Sequence, residues 1–103
     1  MDQSKVQEMQ VLEQNLQNLF MQKQSFQMEF SETQSALKEI ENSGDDIFKM
    51  IGQLMIKSDK SKVKEELLNK EKFLDIRLNS IEKQESSLVE KLEKLREEII
   101  KPK

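Results

Sequence analysis

From Met9 to Ile40 the chain repeats a step of three and four residues through Met9, Leu12, Leu16, Leu19, Lys23, Phe26, Phe30, Thr33, Leu37 and Ile40, of which eight are apolar. A second series runs through Leu67, Glu71, Leu74, Leu78, Ile81, Glu85, Leu88, Leu92, Leu95 and Ile99, again with eight apolar positions. Three-four spacing sustained over about four heptads is the seam of a coiled coil rather than the broader face of a globular core helix. The pattern predicts one helix over about 2–42 and another over about 60–100. The outer faces are Gln-rich in the first series and Glu/Lys-rich in the second, as solvated helix faces are. Glu66–Lys70 and Glu90–Lys94 stand four apart and are expected to pair along the second helix.

Between the seams the period changes. Asn42-Ser43-Gly44 ends the first helix, with Gly44 suited to a left-handed closing residue. Ile47-Phe48-Lys49-Met50-Ile51 and Leu54-Met55-Ile56-Lys57 then flank Gly52-Gln53. Two short runs rich in β-formers around a Gly predict a β-hairpin over about 46–58, with Gly52 leading a type II′ turn. The hairpin is apolar on both faces and only two-stranded, so it requires cover from elsewhere. Ser58, Asp59 and Ser61 offer caps for the second helix, and Pro102 falls after its last seam residue, where a helix does not continue comfortably.

Two seams of nearly equal length joined by a connector fold back antiparallel. Setting Ile40 against Leu67 and Met9 against Ile99 places Leu12 opposite Leu95, Leu16 opposite Leu92 and Leu19 opposite Leu88. It also places Lys23 opposite Glu85. Two interruptions of opposite charge thus coincide, which supports the register. A parallel dimer of straight helices leaves the central Gly and the apolar runs unexplained. Several apolar residues lie off the seam. Phe20, Met28, Leu68, Phe73 and Ile76 are expected to support seam edges or face neighbouring subunits. Val6, Met9, Val11, Ile99 and Ile100 gather where the two helix ends meet, either as ordinary end packing or as an exposed binding surface.

Composition narrows the function. Of 103 residues, 36% are charged and 35% hydrophobic, a balance that suits a long helix better than a globule with a large core. With no His and no Cys, the chain has no imidazole base, no thiolate and no transition-metal cluster. Its carboxylates lie along solvated helix faces, and no Gly-rich phosphate loop occurs. An enzyme is not expected, and no cofactor or metal. A net charge of −3 with interspersed Glu residues provides no basic stripe for nucleic acid. No apolar run approaches the roughly 20 residues of a membrane span, and the polar start of the sequence carries no apolar signal core. A cytoplasmic protein is the expectation.

The connector Asp45-Asp46-Ile47-Phe48-Lys49-Met50-Ile51-Gly52-Gln53-Leu54-Met55-Ile56-Lys57 resembles the hairpin of prefoldin β subunits: an acidic lead, an apolar–aromatic–Lys strand, a Gly, and a second apolar strand ending in Lys. Phe48 stands where many relatives have Tyr. Leu74-Asp75-Ile76-Arg77-Leu78 and Ile81-Glu82-Lys83-Gln84-Glu85 resemble the second helix of archaeal-type β subunits, and Ala36-Leu37-Lys38-Glu39-Ile40 fits the first. The resemblance covers nearly the whole chain as a single prefoldin-like domain.

The fold this implies is all-α dominated: a long antiparallel two-helix coiled coil whose small β-hairpin connector forms part of an intersubunit β-barrel. Ile47, Phe48, Met50, Ile51, Leu54, Met55 and Ile56 would assemble the chain with further β subunits and a prefoldin α subunit, in a hexamer of two α and four β chains. Val6, Met9, Val11, Ile99 and Ile100 would take hold of unfolded client proteins, with the adaptable thioether of Met9 foremost. The client would pass to a group II chaperonin without ATP hydrolysis by the holdase. The competing reading is a structural or adaptor coiled coil that oligomerises through its hairpin.

Overall fold

The computed structural model describes residues 3–100. Helix α1 spans Gln3–Asn42, strand β1 Ile47–Ile51, strand β2 Leu54–Ser58 and helix α2 Lys60–Ile100. Asp2 and Pro102, expected at the outer helix ends, lie outside the described residues.

All twenty seam positions are buried or half-buried along the two helices. The periodicity therefore identified the packed side of each helix residue by residue. The chain divides into two compact units, one made of the described residues up to Ser25 with those from Arg77 onward, the other of Phe26–Ile76. In the first unit Leu12, Leu92 and Leu95 form a buried apolar cluster, with Met9, Leu16 and Leu88 packed against it. Lys5 Nζ lies 3.3 Å from Glu98 Oε2, and Lys23 Nζ donates to Glu85 Oε1 at 3.1 Å. Ascending α1 from Lys5 to Lys23 thus descends α2 from Glu98 to Glu85, an antiparallel pairing in the register that the polar interruptions imply.

The second unit holds the deepest side chain, Leu74, 1% exposed. It also buries Thr33, the polar member of the first seam. The Thr33 hydroxyl donates to the Glu29 carbonyl at 2.7 Å, one turn back in α1. A backbone carbonyl in the same helix thus satisfies the hydroxyl, so Thr33 sits in an apolar seam without an unpaired polar atom.

The end of α1 differs from the sequence expectation. Gly44 does not take a left-handed conformation; Gly52 is the glycine with positive φ. Ser43 closes the helix instead: its N–H and hydroxyl both donate to the Ile40 carbonyl, at 3.2 and 2.8 Å. Lys60 Nζ donates to the Ser43 carbonyl at 2.8 Å. A hydroxyl and a lysine from α2 therefore satisfy groups that a glycine-based cap would otherwise handle. The start of α2 matches its capping signal. Asp59 Oδ1 accepts from the Ser61 N–H at 3.0 Å, and the Asp59 carbonyl accepts the first helical bond from Val63 at 3.0 Å.

The strands pair antiparallel, with Ile47 opposite Ser58, Lys49 opposite Ile56 and Ile51 opposite Leu54. Gly52 has φ of 60°, and no non-Gly residue has positive φ among the described residues. A positive first and negative second central residue is the type II′ turn, whose twist matches that of the flanking strands.

Candidate functional site

Strand alternation sorts the hairpin into two faces. Ile47, Lys49 and Ile51 share one with Leu54, Ile56 and Ser58; Phe48 and Met50 share the other with Met55 and Lys57. Phe48, Met50, Ile51, Leu54, Met55 and Ile56 are all exposed, from 44% for Ile56 to 66% for Leu54 and Met55, and Ile47 is half-buried. All seven residues expected to assemble the chain are thus gathered on one two-stranded ribbon. Apolar surface appears on both sides of it, and both of its edges carry backbone groups with no further strand among the described residues to pair them.

Charged contacts fix the base of this ribbon. Lys49 Nζ donates to Glu66 Oε2 on α2 at 2.8 Å. Lys57 pairs with Asp46 at 3.5 Å, and Lys64 with Glu41 at 3.4 Å. Glu66 therefore serves the hairpin and not Lys70, its expected partner on the helix. Glu90 and Lys94 likewise form no ion pair among the described residues. Spacing along one helix could not anticipate a lysine arriving from a strand. These exposed pairs contribute orientation more than stability.

The other predicted group lies in the first unit. Val11 and Ile100 are exposed, 59% and 72%, while Val6, Met9 and Ile99 are half-buried. Met9 packs on the Leu12–Leu92–Leu95 cluster. The five residues are thus not equivalent: Val11 and Ile100 present surface, whereas Met9 is engaged in the seam. The apolar off-seam residues Phe20, Met21, Met28, Leu68 and Ile76 are exposed as well.

Among the described residues no group of His, Cys, Asp or Glu is arranged to hold a metal ion. No helix there is long and apolar enough to cross a membrane. The contacts on offer are strand edges and apolar side chains, chemistry suited to association.

The fold and these surfaces define a class: an antiparallel helical hairpin bearing an apolar β-ribbon at its connection. Comparison with known proteins gives the class a family. A family model described as prefoldin subunit matches residues 3–102. The chain is 45% identical over 89 residues to the prefoldin subunit beta of Thermococcus onnurineus, covering 84% of this chain and 77% of that one. Against the prefoldin subunit beta of Methanothrix thermoacetophila it is 32% identical over 99 residues, covering 94% and 82%. The crystal structure of the prefoldin beta subunit from Thermococcus strain KS-1 superposes with a TM-score of 0.85 at 37% identity, covering 98% of this chain and 93% of that one. The chain belongs to the prefoldin family of chaperone subunits, and its likeness is to the β type.

Proposed function

We propose that the chain is the β subunit of an ATP-independent holdase, assembling through its hairpin with further β chains and a prefoldin α subunit into a hexamer of two α and four β chains. The observation that carries this reading is the ribbon itself. Six apolar side chains stand exposed on its two faces, and burying each contributes about 1.5–3 kcal/mol before association costs. Sister hairpins provide the missing strands and close the edges into a barrel. The helix ends then act as a grip for non-native polypeptides, with Val11 and Ile100 as the presented surface and Val6, Met9 and Ile99 beside them. Each grip is weak, and several on one assembly capture a client by avidity. The client is released to a group II chaperonin. The complex works in the cytoplasm as a single-domain subunit, without catalysis or cofactor.

Membership in a family of chaperone subunits favours this reading over an adaptor coiled coil. The test is to mix the chain with a prefoldin α subunit and measure native mass, then aggregation of a denatured protein diluted into the mixture. A six-chain complex that suppresses aggregation is expected. A stable complex with no effect on aggregation supports the adaptor reading instead.

A further inference from the structure

We propose that Met50 and Met55 form an oxidation switch on the hairpin: a hydroperoxide converts both to sulfoxides in the free chain, and a chain so modified assembles poorly until they are reduced. The proposal rests on the reading of the hairpin as the assembly surface. Met50 and Met55 stand directly opposite one another across the two strands. Side chains placed in this way are neighbours on one face of the ribbon. Among the described residues there are five methionines. Met9 is half-buried against the seam cluster. The other four are exposed to nearly the same degree, Met21 67%, Met28 66%, Met50 62% and Met55 66%. A peroxide therefore has equal entry to all four. Position separates them: Met21 and Met28 lie singly on α1, whereas Met50 and Met55 lie together on the apolar ribbon.

The step needs an accessible sulfur and a hydroperoxide, one for each methionine. A sulfur lone pair attacks the outer peroxide oxygen. The S–O bond forms as the O–O bond breaks, and the departing oxygen keeps the proton, leaving as water or an alcohol. Sulfur is oxidised by two electrons and the peroxide is reduced by two. In the reverse direction a dithiol becomes a disulfide and the sulfoxide oxygen leaves as water. The consequence lies in what each form tolerates. A thioether is apolar and adapts to whatever covers it. A sulfoxide is polar and accepts hydrogen bonds, so covering it without a donor costs free energy. The same face offers Phe48, whose side chain has no donor, and Lys57, which is engaged by Asp46 at 3.5 Å. Two opposed acceptors thus fall on one patch that a sister strand or sheet would have to cover.

The full chain is treated alone with hydrogen peroxide, the peroxide is removed, and a prefoldin α subunit is added. Native mass reads assembly, and peptide mass mapping reads the oxygen gained at each methionine. Every chain is compared with its own untreated form. In the parent, oxygen on Met50 and Met55 should accompany a loss of assembly affinity of at least about tenfold, with helix content by circular dichroism unchanged. Met21→Leu with Met28→Leu removes the exposed methionines of α1, and this chain should lose assembly as the parent does. Methionine sulfoxide reductase with a dithiol should restore both. Peroxide applied to the assembled complex should mark Met50 and Met55 at least about tenfold more slowly than in the free chain, because covered sulfur is out of reach. Three results overturn the switch: a chain oxidised at both positions that assembles like its untreated form, equal marking of the pair in the free chain and the complex, or a Met50→Leu, Met55→Leu chain that still loses assembly on treatment. An untreated parent that forms no complex overturns the assembly reading, and the switch with it.

Discussion

Lys23 and Glu85, 62 positions apart in the chain, meet at 3.1 Å inside a seam that is otherwise almost wholly apolar. Each interrupts its own heptad series, and each is the other's remedy. Removing either charge leaves its partner half-buried and alone. A double-substitution cycle measured by thermal or denaturant unfolding should give a coupling on the order of 0.5–3 kcal/mol, toward the low end because both side chains remain partly hydrated. Strictly additive single effects would mean that the two charges do not depend on one another.

Leu74 is 1% exposed, and Leu68, earlier in α2, is 45% exposed. Leu74→Ala should therefore cost about 2–5 kcal/mol, the range for deleting a buried leucine side chain. Leu68→Ala in the isolated chain should stay within about 0.5 kcal/mol. Equal losses at the two sites would contradict the burial difference between them.

Ile51→Lys or Ile56→Lys places an amine in the apolar face of the hairpin. Helix content by circular dichroism should stay close to the parent, since both residues are exposed on the hairpin. Assembly with an α partner should fail, because the amine would be buried without a counter-charge. Sedimentation of the mixture checks it; a complex of parental mass would show that this face is not an assembly surface.

Val11→Ser with Ile100→Ser removes the two exposed apolar side chains near the helix ends while leaving the Leu12–Leu92–Leu95 cluster alone. Assembly and helicity should persist, and protection of a denatured protein from aggregation should weaken. Adding Met9→Ser should also loosen the seam, visible as a lower melting temperature. If the double-Ser complex protects as well as the parent at equal concentration, the grip lies elsewhere.

Much of this architecture was legible in the amino-acid order because a coiled coil writes its packing as a period. The seam from Met9 to Ile40 and its counterpart from Leu67 to Ile99 needed no tertiary information beyond reversal of direction. The hairpin was legible because Gly52 alone permits the positive φ that the turn requires. What the order could not convey were contacts made by long flexible side chains across the connection. Ser43 and Lys60 together close α1, so Gly44 is not called on to adopt its left-handed option. Glu66 is drawn off its helix by Lys49, which stands 17 residues earlier on a strand. The heptad pattern does separate Met9, a seam position held against the cluster, from Val11, two residues on and exposed.

Lys5 and Glu98 lie 3.3 Å apart, so the first turn of one helix and the last of the other sit side by side. This has a mechanical consequence. A load that draws those two ends apart acts on the outermost layer alone, and the next layer feels it only after the first has given way. Contacts arranged in this way peel in succession, each at its own small threshold, whereas a load along the helix axes would strain all of them at once. The cluster of Leu12, Leu92 and Leu95 is the first firmly closed layer such a load would reach. It marks the depth at which peeling should slow.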